Sequence, residues 1–169
     1  MKALPAIVAL LGAAAAPAAA ASVPYDVNGI TLGASEREVK QAFPSAYCQP
    51  LEWKSVAAER RCDDSRISFG GAPARVTFYL KHGTVQAFDV GFDPRDRERI
   101  VAFLKSQYGS PASERTETIT RPGKEERKLY KAAWRNGDVT AQVAVRLGTR
   151  YGRLEVSRGD FAQKIYEMK

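Results

Sequence analysis

Stretches of alternating apolar and polar residues constrain the fold of this 169-residue chain most strongly. In 75–80, Val76, Phe78 and Leu80 fall on one face of a predicted strand, and 85–92 returns with similar alternation. The residues between them, Lys81-His82-Gly83, predict a tight turn, and Asn136-Gly137 predicts a two-residue hairpin later in the chain. We therefore expect antiparallel sheet with one apolar and one polar face.

Two helices are predicted to accompany this sheet. Ser35 and Glu38 form a capping box at the start of the first helix. Asp93 caps the second helix, and Gly109 ends it. Strands follow each helix, so the order predicts an α+β fold with helices packed on one face of an antiparallel β-sheet. It also predicts one domain over 22–169, with two related helix-plus-sheet halves at 22–92 and 93–169.

The first 21 residues have the layout of a secretory signal peptide. Lys2 provides a positive charge, an apolar run follows, and the tract 13–21 is alanine-rich with one proline. The apolar run is shorter than the roughly 20 residues that span a bilayer. We predict that 1–21 are removed and that the mature protein is periplasmic or secreted, with no transmembrane segment. An uncleaved N-terminal anchor is the alternative.

The two cysteines, Cys48 and Cys62, both lie in the predicted mature chain. In an oxidising compartment such a pair predicts a disulfide bond. Closing a loop of about 15 residues is worth ~3 kcal/mol on the chain-entropy model. The spacing does not match the C-x-x-C motif of redox-active pairs, and the segment between the cysteines is predicted to be a loop.

Positive charge is concentrated in the C-terminal part of the chain, whose formal net charge is +7. Residues 110–169 contain 13 Lys and Arg against 8 Asp and Glu, whereas 22–109 contain 12 against 11. This excess serves solubility, or it binds an anionic partner. Outside the cytoplasm such a partner is lipopolysaccharide, acidic lipid, peptidoglycan or an acidic protein rather than nucleic acid.

The sequence contains no recognised catalytic motif. The single histidine, His82, falls in a predicted turn, where solvent exposure is the default. We predict a protein that is not an enzyme, with no catalytic residues, no cofactor and no metal site. A hydrolase with an unrecognised site is the alternative.

The polar face of the predicted sheet is the candidate binding surface. Arginine and tyrosine, which are enriched among interface anchors, recur on it. Trp134 is predicted to lie in the core instead. The candidate partner-binding residues are Trp53, Arg75, Tyr79, Lys131, Arg146, Tyr151 and Arg153.

The chain also resembles a known group of periplasmic proteins. The resemblance rests on Gly29-Ile30-Thr31-Leu32-Gly33 before a helix ending at Phe43-Pro44, on the cysteine pair, and on Tyr108-Gly109-Ser110-Pro111 followed by Trp134. These features are similar to the fold group of the small outer-membrane-assembly lipoprotein and the β-lactamase inhibitor protein. The resemblance implies helices on one face of an antiparallel sheet and a role in binding proteins. The lipobox cysteine of the assembly lipoprotein is absent here.

These observations together predict a non-enzymatic interaction module of the bacterial cell envelope. It would bind an envelope protein through the open sheet face. The alternative is a binder of anionic envelope material that uses the basic C-terminal half.

Overall fold

A computed structural model describes residues 23–168 of the chain. The predicted signal peptide at 1–21 lies outside the described residues. The elements in chain order are β1 (Asp26–Val27), β2 (Ile30–Thr31), α1 (Glu36–Ala42), β3 (Tyr47–Pro50), β4 (Arg60–Phe69), β5 (Ala72–Lys81), β6 (Thr84–Phe92), a 3-10 turn (Pro94–Asp96), α2 (Arg97–Tyr108), β7 (Ser113–Ile119), β8 (Arg127–Asn136), β9 (Val139–Arg146), β10 (Tyr151–Arg158) and α3 (Phe161–Lys164).

One antiparallel sheet contains strands β3 to β10 in the order β3-β4-β5-β6-β10-β9-β8-β7, while β1 and β2 pair separately. Each consecutive run, β3 to β6 and β7 to β10, is an antiparallel meander. The last strands of the two meanders, β6 and β10, pair at the centre of the sheet. α1 precedes the first meander and α2 precedes the second. That the two halves are related stays a prediction.

The predicted α+β class, with helices packed on one face of the sheet, is wrong. Strands dominate the structure, because the helices have only 7, 12 and 4 residues beside an eight-stranded sheet. Moreover, Phe161 of α3 packs with Ala87, on the sheet face opposite to the one where Leu104 of α2 joins the core. Capping signals mark where a helix begins, but they do not say how much of a sheet it covers.

The apolar face of the sheet forms the main core. Phe78 of β5 and Phe88 of β6 are fully buried and lie opposite each other in register. Leu104 of α2 is fully buried in the same cluster. Trp134, predicted to be a core residue, is 2% exposed, and its indole N–H donates a hydrogen bond to the Gly109 carbonyl at 2.8 Å. Each large side chain buried here contributes about 1.5–3 kcal/mol to folding.

The local helix and turn signals are confirmed. The Ser35 hydroxyl accepts from the Glu38 N–H, and the Glu38 carboxylate accepts from the Ser35 N–H, which is a capping box. Asp93 accepts from the Arg95 N–H at 2.9 Å, although the element it caps is the 3-10 turn that leads into α2. Asn136-Gly137 connects β8 to β9 as predicted. None of the helices within 23–168 is long and apolar enough to cross a membrane.

The segment around the two cysteines differs from the predicted loop. Cys48 in β3 and Cys62 in β4 are directly paired across adjacent antiparallel strands, and they form the predicted disulfide. β4 begins at Arg60, and its register with β5 shifts between Asp64 and Ile67. Such a bulge breaks the two-residue alternation that marks a strand in sequence.

Candidate interaction surface

The second face of the large sheet, which we call the polar face, carries the side chains that alternate with the buried ones. Successive residues of a strand point to opposite faces, so the cross-strand register fixes its membership. Its central members, taken from β5, β6, β8, β9 and β10, are Arg75, Thr77, Tyr79, Asp89, Gly91, Lys131, Ala133, Gln142, Ala144, Arg153 and Glu155.

Acidic and basic residues occupy adjacent rows at the centre of the polar face. Asp89 of β6 pairs in register with Glu155 of β10. In the next row, Gly91 of β6 lies between Arg75 of β5 and Arg153 of β10. Opposite charges in neighbouring rows lie within reach of one another, so this surface can hold its own charged side chains in place.

A network of hydrogen bonds surrounds Asp89, whose side chain is only 16% exposed. One Arg153 nitrogen donates to Asp89 and to Glu155, each at 2.8 Å, and the Tyr79 hydroxyl donates to Asp89 at 3.3 Å. Burial raises the pKa of Asp89 to about 6; the Arg153 charge opposes this rise, and the Glu155 charge adds to it. Burial, followed by the Asp89 charge, also raises the pKa of Tyr79. The network orients Arg153 and Tyr79.

Further polar contacts flank this centre on both sides. On β5, the Thr77 hydroxyl donates to Asp63 at 2.7 Å. On β8, the Lys131 ammonium lies 3.0 Å from the Glu117 carboxylate of β7. The exposed member of this part of β9 is Gln142, which pairs with Glu155 in register. The polar face is thus structured over most of its width.

A small apolar cluster lies on one margin of the polar face. Phe161 of α3 packs against Tyr79 with 5.7 Å between the ring centroids. The Trp53 indole N–H donates to the Ile165 carbonyl at 2.9 Å, and the Trp53 ring stacks on Tyr166 at 6.1 Å. The segment after β10 therefore packs against the polar face, and Trp53 is half-buried by this segment.

The structure brings several of the predicted binding residues onto one face. Arg75, Tyr79 and Arg153 lie close together on the central strands, and Lys131 lies further along the same face. Arg146 lies at the end of β9 and lines a small pocket of about 70 Å³ with Arg121, Lys124 and Arg127. Trp53 lies at the margin. Tyr151 pairs with Arg146 in register, and its side chain lies outside the described part of the structure. That these residues bind a partner stays a prediction.

Sequence reasoning missed Asp89 and Gly91 as members of the surface. An aspartate within the apolar stretch 85–92 is itself a signal, since a charged side chain in a central strand needs a partner. Gly91 could be placed beside Arg75 and Arg153 only once the pairing of β6 with β10 was known.

Two other candidates for chemical activity are the single histidine and a cluster around the disulfide. His82 is exposed in the β5–β6 turn with a φ of 50°. Among the described residues, Glu36, Cys48 and Cys62 form a cluster with the composition of a metal site. Both cysteines of that cluster are in the disulfide, so their sulfur atoms are not available as thiolate ligands.

Comparison with known proteins gives few matches. No protein-family model matches the chain, and no curated protein matches it. Among solved structures, a crystal structure of a DUF4309 family protein, YjgB from Bacillus subtilis, is similar with 13% identity over 81% of this chain and 87% of that one. The TM-score is 0.43, a likeness that supports no conclusion about fold or function. The resemblance to the lipoprotein and inhibitor group stays a prediction.

Proposed function

We propose that this protein is a non-enzymatic interaction module outside the cytoplasm, and that it binds another protein through its polar face. The observation that carries the proposal is the organisation of this face. Arg153, Asp89 and Tyr79 hold each other in fixed positions on the central strands. A surface whose side chains are already ordered loses less conformational entropy when a partner binds.

Accessibility of the same strands supports the proposal. Arg75 and Gln142 are exposed, and the Arg153 and Lys131 side chains keep 34% and 29% of their accessible surface. Long side chains held in partial contact with a sheet offer both apolar stems and charged ends to a partner. The disulfide between Cys48 and Cys62 agrees with an oxidising compartment.

Site-specific photo-crosslinking in intact cells tests this function. A photoreactive residue replaces Gln142, which is exposed on the polar face, in one variant. The matched control replaces Gln107, which is exposed on α2 on the opposite side of the sheet. We expect one dominant protein adduct from position 142 and none of the same mass from position 107. Equal adducts from both positions, or an adduct only from 107, would contradict docking on the polar face.

A further inference from the structure

One end of the sheet, which we call the basic end, carries more cationic than acidic side chains. The register places the β4–β5 turn, the end of β6, the β7–β8 connection and the β9–β10 turn together at this end. The cationic residues of these segments and of the adjoining strand ends include Arg75, Arg95, Arg121, Lys124, Arg127, Arg146 and Arg150. The topology thus brings cationic residues that are far apart in sequence together at the basic end.

A groove of about 490 Å³ lies at this end where it meets the polar face, and we call it the arginine groove. Its charged lining residues are Arg75, Arg95, Arg150 and Asp93, and Ser65 and Gly91 also line it. Asp93 accepts from the Arg95 guanidinium at 2.8 Å and 3.1 Å. These hydrogen bonds lower the pKa of Asp93 to about 2. The groove is thus lined by one carboxylate and three guanidinium groups.

Gly91 creates the space that Arg75 occupies. A Cβ atom at position 91 would come within 2.7 Å of Nε of Arg75, so the Arg75 side chain lies directly over this glycine. Its neighbour across the glycine, Arg153, is turned toward Asp89 and Glu155. No described residue forms an ion pair with Arg75. The Arg75 charge therefore remains available for a partner, whereas the neighbouring Arg153 charge is balanced by Asp89 and Glu155.

We propose that the arginine groove binds carboxylate side chains of an acidic segment in the partner protein, with Arg75 and Arg150 as the recognising residues. This inference rests on the proposed function, because Arg75 and Gly91 belong both to the groove and to the polar face. Guanidinium groups match the geometry of a carboxylate with two parallel hydrogen bonds. The lining holds three guanidinium groups and one carboxylate, that of Asp93, so its net positive charge complements an acidic peptide.

The affinity of the purified protein for a hexaglutamate peptide that carries an uncharged label tests the groove. Arg75→Gln should weaken binding by about tenfold, because a hydrogen-bonded charge pair is lost. Gly91→Ala keeps every charge but displaces the Arg75 side chain, and should weaken binding by about threefold or more. The control Arg37→Gln removes one exposed positive charge on α1, and binding should stay within about twofold of the parent. Thermal unfolding of each variant establishes that it folds.

Three results would overturn the groove. The peptide fails to bind; Arg75→Gln and Arg37→Gln weaken it equally, which indicates a response to net charge; or vesicles of phosphatidylcholine and phosphatidylglycerol bind with dependence on Arg75 while the peptide does not. The last result assigns the groove to anionic lipid instead. Crosslinking from position 142 is measured separately. If the peptide test fails but the protein adduct from position 142 forms, only the proposed partner chemistry is refuted. If no such adduct forms, the docking surface itself is refuted.

Discussion

Phe88 and Asp89 are neighbours in β6, yet the sheet places them in opposite environments. Phe88 is fully buried against Phe78 on the apolar face. Asp89 lies on the polar face among Arg153, Tyr79 and Glu155. The apolar face is stabilised by removing apolar area from water, and this contribution grows with the size of the buried side chain. Its close packing tolerates little change in side-chain volume. The polar face is stabilised by charge pairs whose net contribution is small. Exposed positions of the polar face can therefore vary with little cost to folding, whereas removing one partner of the shielded pair of Asp89 and Arg153 is costly.

The largest effect should come from the apolar face. Phe88→Ala removes a buried ring from the centre of the main core, and we expect the free energy of unfolding to fall by about 3–5 kcal/mol. Chemical denaturation measures this loss. A loss below about 1 kcal/mol would mean that the two faces do not differ in the way described.

The second effect tests the small apolar cluster on the polar face. Phe161→Ala removes the ring that packs on Tyr79, and we expect a loss of about 2 kcal/mol. This is smaller than at Phe88 because Phe161 lies in a smaller cluster and is less completely buried. Denaturation gives the change. The exposed Tyr166→Ala serves as the control, since it removes an aromatic ring from the same segment. An equal loss at Phe161 and Phe88 would show that the polar face has a core of its own.

The third effect is a pH dependence located at Asp89. Its pKa is raised to about 6 in the folded protein, so the folded state binds more protons than the unfolded state between about pH 4 and pH 6. Stability contributed by this group is therefore greatest below pH 4 and declines as pH rises to 6, by about 1–2 kcal/mol after allowance for partial exposure.

Comparison of the parent with Asp89→Asn isolates this contribution. Other carboxylates, such as Glu36 and Glu114, have lowered pKa values and act in the opposite direction. The difference in unfolding free energy between the two proteins, followed from pH 4 to pH 7, cancels them. A difference that does not change with pH would show that Asp89 does not titrate as described.

The smallest effect should come from Arg75→Ala. Arg75 is exposed and no described residue forms an ion pair with it, so we expect a change within about 0.5 kcal/mol. Arg153→Ala is the comparison, because it leaves Asp89 without its guanidinium and should cost more. Equal effects of the two substitutions on unfolding would place Arg75 in the charge network.

Parts of the structure could be predicted because the signals are local. The capping box at Ser35 and Glu38, the turn at Asn136-Gly137 and the alternation of Val76, Phe78 and Leu80 each depend on neighbouring residues, and the structure contains all three. The disulfide followed from composition and the predicted compartment. Trp134 was predicted to be buried, and it is.

The features that the sequence did not predict depend on contacts between residues distant in sequence. The balance of helix and sheet was misjudged because β3 and the first half of β4 lack clean alternation, the latter owing to its bulge. The position of α3 on the polar face is set by Phe161 meeting Tyr79 and Ala87, which no local pattern contains. The Asp89 network requires β6 to pair with β10. Sequence periodicity assigns a residue to a face, but it does not assign a neighbour on that face.

The pairing of β6 with β10 has a consequence for how the chain folds. All the other pairs of adjacent strands in the sheet follow each other in sequence. This pairing instead joins residues far apart in sequence, from Phe92 and Gly152 to Ala87 and Ser157. Local pairings close early because short loops cost little entropy, and distant ones close late. We expect the two meanders to form first and their joining to limit the folding rate. Substitutions along β6 and β10 should then slow folding, while those in β3 and β7 should mainly speed unfolding.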